Sequence, residues 1–219
     1  MRFAVLMTAA SALALSACSS GDVPVSDAPP SETDAVTEAA PAAAQPEAPV
    51  MTVEAATVAE ARACQGAADT TMLVIDAPEA GNQDADVNAA AARDYLDAVR
   101  AEPCVFELPS GLLFRIRQPA EDGISPVSGD MVTVHYRGMF AYGGEFDSSY
   151  ARGEPATFPS NRLIAGWVEA LPLMRVGEAW DLFIAPELAY GPRGTPGGPI
   201  GPNEALVFQL ELIDIPGAN

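Results

Sequence analysis

Lysine is absent from the 219 residues, and histidine occurs once, as His135. Without lysine there is no phosphate-binding loop of the Gly-rich Lys type, no Schiff base and no pyridoxal chemistry. A single histidine excludes a three-histidine metal cage or a histidine-rich zinc site. No metal or cofactor is therefore expected. The eleven positive side chains are all arginine and stand against 30 acidic ones, a net charge of −19. A chain so acidic has no phosphate-tracking surface, so nucleic acid is not an expected partner. Large rings are missing from the first part of the chain: of fifteen aromatic residues, only Phe3 precedes Tyr95. Residues 1–94 cannot supply a core that offsets the entropy of ordering them. The composition predicts one domain, over 105–219, behind a long leader.

Long apolar runs are also scarce. Phe3 to Leu15 spans 13 residues, against about 20 for a membrane-crossing helix. Behind Arg2 it reads as a secretory signal over 1–17. Its end, Leu15-Ser16-Ala17-Cys18, resembles the bacterial lipoprotein signal, which implies lipidation of Cys18. The alternative is an ordinary signal peptide that contains a cysteine. Ser19 stands where some related lipoproteins carry the Asp that marks inner-membrane retention. The resemblance thus implies a lipid anchor facing the periplasm, with the outer membrane as its address. Residues 18–60 read as a tether: from 22 to 60 there are eight acidic residues, no basic one and no aromatic, with Ala and Pro in excess.

Residues 61–104 read as a short, partly helical pre-domain. Asp86 to Arg100 is Ala-rich, with Val87, Ala91, Tyr95 and Val99 along one face, and Pro103 ends it. Thr71 to Ile75 has the composition of a short strand. Cys64 and Cys104 are the two thiols that remain if Cys18 is acylated. In an oxidising compartment an even pair is most simply a disulfide, the alternative being two separate buried thiols.

The remainder alternates. Leu112, Phe114 and Ile116 oppose Arg115 and Arg117; Val132, Val134 and Tyr136 oppose Thr133, His135 and Arg137. Trp180, Leu182 and Ile184 make a third row, and Leu206, Phe208, Leu210 and Leu212 a fourth. Period-two rows predict a sheet covered on one side. Leu163, Ile164, Trp167, Ala170 and Leu171 have helical spacing instead, with Ser160 or Asn161 as the cap and Pro172 as the limit, about three turns in all. The fold class is α+β: a curved antiparallel sheet wrapped around one short helix. Residues 190–203 read as a loop.

Six segments in this order resemble the FKBP-type peptidyl-prolyl cis–trans isomerase family. They are Val134-His135-Tyr136-Arg137-Gly138, Phe146-Asp147-Ser148-Ser149, Ile164-Ala165-Gly166-Trp167, Val176-Gly177-Glu178, Ala189-Tyr190-Gly191 and Leu206-Val207-Phe208. The preceding Leu108-Pro109-Ser110-Gly111-Leu112 is similar to the entry of bacterial envelope members. The resemblance implies an isomerase that assists folding of exported proteins, taking proline-containing or unfolded polypeptides as partners. It implies catalytic positions at Tyr136, Phe146, Asp147, Ile164, Trp167 and Tyr190. Trp167 would floor the pocket, Tyr190 would donate its hydroxyl and Ile164 its backbone N–H. Arg152, Leu163, Ile200 and Phe208 would bind substrate, with Arg152 placed to hold Asp147 and Ile200 in the covering loop. His135, on the other strand face, reads as structural. Departures from the family pattern are Ala156, Ala165 and Ile200-Gly201-Pro202, the last where Ile-Pro-Pro is frequent. They leave open a binding module or holdase with the same cleft and little turnover. The one helix before the domain is too short for a dimerising stalk, so a monomer is expected.

Overall fold

Alternation of apolar side chains builds the sheet, and its two faces receive different covers. A computed structural model of the chain describes residues 52–64, 73–74 and 82–218. Helix α1 (Val53–Ala63) and helix α2 (Ala85–Arg100) precede strands β1 (Phe106–Glu107), β2 (Leu113–Gln118), β3 (Met131–Phe140) and β4 (Glu145–Ser148). Then come the one-turn α3 (Ser149–Arg152), β5 (Ala156–Pro159), α4 (Ala165–Ala170), β6 (Ala179–Ile184) and β7 (Leu206–Asp214). The strands form one antiparallel sheet in the order β1-β2-β6-β7-β3-β4, with β5 also on β3. Strand β3 is the longest. One of its edges pairs with β7 from Thr133 to Phe140, and the other is shared by β5 at Met131–Val134 and β4 at Arg137–Met139.

One face of the sheet carries Phe114, Val134, Tyr136, Trp180, Leu182, Leu206, Phe208 and Leu210, all buried around Trp167, Ala170 and Leu171 of the α4 segment. Close approach of that helix requires Gly166, where a Cβ would lie 3.0 Å from Ile184 Cγ2. The opposite face is not solvated, as period-two rows alone would predict. Leu113, Met139, Phe183 and Val207 pack there against Ala92, Tyr95 and Val99 of α2. The buried face of α2 is also rotated from the Val87–Ala91 row: Asn88 and Ala92 are buried, whereas Val87 is exposed. Asn88 turns inward because its amide has carbonyl partners there, Asn82 O and Pro202 O, both at 2.8 Å.

Three further expectations are corrected. Residues 53–60, assigned to the tether, are helical and bury Val58; Ala61 follows in the last turn. Thr52 caps α1, accepting from Ala55 N at 3.2 Å. Arg62 at its far end donates to Glu178 from Nε at 2.7 Å and from Nη2 at 3.1 Å. Glu178 is fully buried and also accepts from Arg175 N and Trp180 Nε1. Second, the central helix is shorter than three turns. Its N-cap is Ile164, without a side-chain cap, and Pro172 lies in a 3-10 turn that follows it (Leu171–Leu173). Ser160 instead ties Gly129 N (2.9 Å) to Val127 O (3.1 Å). Third, Leu73 and Val74 are in no strand, and the rest of 71–75 lies outside the described residues. The signal at 1–17, Cys18 and the tether up to 51 also lie outside them.

Cys64, just past α1, is bridged to Cys104, just before β1, with Cα atoms 5.8 Å apart. Closing that loop of 40 residues stabilises by about 2–4 kcal/mol. Among the described residues, no helix is long and apolar enough to cross a membrane.

Candidate active site

A six-residue helix reaches only about 9 Å, so α4 leaves part of its sheet face open. The opening is a cavity of about 570 Å³ between the N-terminal end of α4 and strands β3, β4, β5 and β7. The Trp167 indole is its floor, buried to 4% exposure. Three rings meet it edge-on: Phe208 at 5.2 Å, Tyr136 at 5.4 Å and Phe158 at 6.5 Å. Edge-to-face contact places positive ring edges on negative faces, which favours such a box over stacked rings. Phe146 closes one side, 5.6 Å from Phe208 and also edge-on. Gly138 makes room for both, since a Cβ there would stand 2.7 Å from Phe146 and 2.9 Å from Phe208.

One wall is polar. Asp147 on β4 accepts from the Tyr136 hydroxyl at 2.5 Å, and the Arg152 guanidinium donates to its other oxygen. Arg152 Nη2 also donates to the Tyr136 oxygen at 2.8 Å. The local sequence makes this geometry. Ser148 caps α3 by accepting from Ala151 N, and Gly153 ends it at φ 79, so the single turn carries Arg152 back over Asp147. Ser149 Oγ accepts from Tyr136 N at 2.7 Å, which fixes the strand under the phenol. His135 lies outside the cavity: its Nδ1 is 2.9 Å from the same Oγ and its ring stacks on Tyr150 at 4.4 Å.

Burial, with the Asp147 hydrogen bond adding to it, raises the Tyr136 phenol above its ordinary value. Burial and the nearby Asp147 charge do the same for Tyr190, a cavity-lining residue that is 39% exposed. Both stay protonated at neutral pH and can donate. Ile164 caps α4 in extended geometry, and among the described residues no acceptor takes its backbone N–H. The site thus combines an apolar box with hydroxyl and amide donors at its rim and no nucleophile–base pair. Among the described residues no group of His, Cys, Asp or Glu could hold a metal ion.

Of the residues selected from sequence, Tyr136, Phe146, Asp147, Leu163, Ile164, Trp167, Tyr190 and Phe208 line this one cavity. Arg152 does not line it but holds Asp147 and Tyr136 from behind. Ile200 is a correction: it is buried in the core, 5% exposed, and is not part of the lining. The Thr195 and Gly194 turn folds it inward, with Thr195 N donating to Ile200 O at 2.8 Å. Sequence reasoning missed Phe158, Arg162, Ala165 and Ala189 as lining residues. For Phe158 the only signal is its alternation with Thr157 in a four-residue strand opposite Val132.

A twisted antiparallel sheet around one short helix, with an indole-floored cleft where the helix falls short, defines a class of fold with one open apolar pocket. Residues 123–213 match the model of the FKBP-type peptidyl-prolyl cis-trans isomerase family. The chain belongs to that family. It is 48% identical over 128 residues to peptidyl-prolyl cis-trans isomerase Mip of Coxiella burnetii, 58% of this chain and 55% of that one. It is 45% identical over 134 residues to outer membrane protein MIP of Legionella longbeachae, 61% of this chain and 57% of that one. A crystal structure of a peptidyl-prolyl cis-trans isomerase from Pseudomonas syringae pv. tomato superposes with a TM-score of 0.55 at 34% identity, covering 64% of this chain and 98% of that one. The chain spans a little over half the length of these two curated relatives.

Proposed function

We propose that the protein is a peptidyl-prolyl cis–trans isomerase that assists folding of exported polypeptides in the bacterial cell envelope. The observation that carries this reading is the Trp167-floored cavity with the Asp147–Tyr136–Arg152 group on one wall. Rotation about an X–Pro bond transfers no proton and forms no covalent intermediate. It loses amide resonance, against a barrier of ~18–20 kcal/mol. An apolar box that strips water from the imide disfavours the planar, charge-separated ground state relative to the twisted form. Four decades of acceleration need only about 5.5 kcal/mol.

In this mechanism the pyrrolidine ring rests on Trp167, between Tyr136, Phe146, Leu163 and Phe208. The Ile164 N–H and the Tyr190 hydroxyl hold substrate carbonyls on either side of the rotating bond. Asp147, fixed by Arg152 and Tyr136, faces the twisting carbonyl carbon. Arg152 is a positioning residue. Because both phenols are held protonated, kcat/KM should be level through neutral pH and fall only above the ordinary tyrosine value of about 10.

The address rests on the signal at 1–17 and Cys18, and on a relative whose own name is outer membrane protein MIP. Lipidated Cys18 would anchor the chain to the outer membrane, with 19–51 as a tether and the protein a periplasm-facing monomer. Radiolabelled palmitate should enter the wild type and not Cys18→Ser. The activity is tested on the soluble fragment 52–219 with a short X–Pro peptide. Accelerated exchange, lost on Asp147→Ala or Tyr190→Ala, supports the assignment. No acceleration by the wild type overturns it.

A further inference from the structure

The segment 191–203 departs from the family pattern at Gly201, and the reason lies outside the matched region, in α2. A Cβ at Gly201 would stand 2.2 Å from Asn82 O and 3.1 Å from Asn88 Nδ2, so any side chain here collides with the entry of α2. Asn88, 3% exposed, spends its amide on both partners at once, donating to Asn82 O and to Pro202 O at 2.8 Å each. Asn203 completes the join. Its side chain donates to Ala85 O at 3.2 Å, and its backbone N–H donates to Gly191 O at 2.9 Å. It does so at φ 55, a left-handed conformation that asparagine tolerates better than most residues. Gly191 follows Tyr190, whose ring and whose neighbour Ala189 line the cleft. A continuous series of hydrogen bonds therefore runs from the first turn of α2, through Asn203, to the carbonyl of Gly191, the residue after Tyr190.

We propose that α2 is a positioning element for the Tyr190 side of the cleft, acting through Asn88 and Asn203, so that the segment before the isomerase domain sets part of its substrate preference. The inference rests on the isomerase reading for its kinetic readout but not for its structural one. Neither asparagine touches the cavity. Each fixes the loop that carries Tyr190, and so bears on how tightly a peptide is held more than on rotation of the bond once held.

The test uses the full chain with its disulfide intact. Asn88→Ala and Asn203→Gly are compared with wild type on X–Pro peptides that differ in the residue before proline. Asn203→Gly keeps the left-handed backbone and loses only the contact to Ala85. Both should raise KM about three- to tenfold, flatten the preference among peptides and leave kcat within about twofold. Amide exchange should quicken over 191–203 and not in β3. Arg100→Ala, which breaks an exposed ion pair to Glu107 at the other end of α2, is the control that should change neither KM nor exchange at 191–203. Should both asparagine variants keep the wild-type KM, preference and loop exchange, the positioning role is wrong while the isomerase reading stands. Should the wild type lack turnover, the isomerase reading falls, and peptide affinity together with exchange still decides the coupling. Wild-type affinity and exchange in both variants would then overturn it.

Discussion

Each face of the sheet carries a helix with a buried ring and a carboxylate set against arginine. Yet one face holds a cavity of about 570 Å³, and beside α2 on the other the opening is about 200 Å³. On the α4 side the ring is Trp167 and the acid is Asp147, paired with Arg152. On the α2 side the ring is Tyr95 and the acid is Asp181, paired with Arg115 at 2.9 Å and Arg117 at 2.8 Å. Both rings even keep a buried polar atom without a hydrogen-bond partner among the described residues, Trp167 Nε1 and Tyr95 Oη. The difference is cover. Sixteen residues of α2 reach about 24 Å across the strands, whereas six residues of α4 reach about 9 Å. A long helix closes its face and turns its ion pairs into core. A short one leaves an opening, with Asp147 half in water.

Exchanging the two acids' fates would break this comparison. Asp181→Ala leaves Arg115, itself 5% exposed, buried without its partner. That should cost about 3–5 kcal/mol. Urea unfolding measures it, and isomerase activity per folded molecule should stay within about twofold, because Asp181 and the cavity lie on opposite faces of the sheet. Asp147→Ala should behave in the opposite way. Its pair with Arg152 is 45% and 44% exposed, so the unfolding free energy should move by less than about 1 kcal/mol. Peptide kcat/KM should fall about tenfold or more, equivalent to at least about 1.4 kcal/mol of transition-state stabilisation. Equal stability losses in the two variants would mean that both acids serve the core.

How legible each side is in the sequence follows from the same contrast. The α4 face is built from strands with strict alternation, so Tyr136, Trp180, Leu182 and Phe208 announce their side of the sheet, and the ordered aromatic segments point to one cleft. Ile200 misleads because loop composition does not say which way a side chain folds. Phe158 is hidden in a strand of four residues that Pro159 ends. The α2 face is nearly illegible. Met139, Phe183 and Val207 fall at positions that a one-sided sheet assigns to solvent, and nothing local says that a helix returns to cover them. Asn88 faces inward only because carbonyls at Asn82 and Pro202 await it, the second 114 residues away. Helix α1 is disguised by an Ala-rich composition shared with the tether. It is fixed by Arg62 reaching Glu178, 116 residues on, and by a disulfide. Pairings of that range leave no trace in periodicity.

Two smaller effects sharpen the picture of the α2 side. Tyr95→Phe removes a hydroxyl that is buried without a hydrogen-bond partner, so unfolding should be unchanged or about 0.5–1 kcal/mol harder in urea. A clear loss of stability would show that the hydroxyl is matched after all. The smallest effect concerns the end of α2, where Arg100 donates to Glu107 of β1 from Nε at 2.9 Å and Nη2 at 3.0 Å. The Arg100 hydrogen bond holds the Glu107 carboxyl below its ordinary value of 4.5. In the window below that value the unfolded chain binds more protons than the folded one, so stability rises with pH there. The contribution is whole above about 4.5 and is lost as pH falls through the folded value. With the pair 45% and 40% exposed, it should amount to about 0.5 kcal/mol or less. Glu107→Gln should therefore unfold slightly earlier in urea than wild type at pH 7 and together with it at pH 3. A gap that persists in acid would assign the effect to packing at the α2–β1 corner rather than to charge.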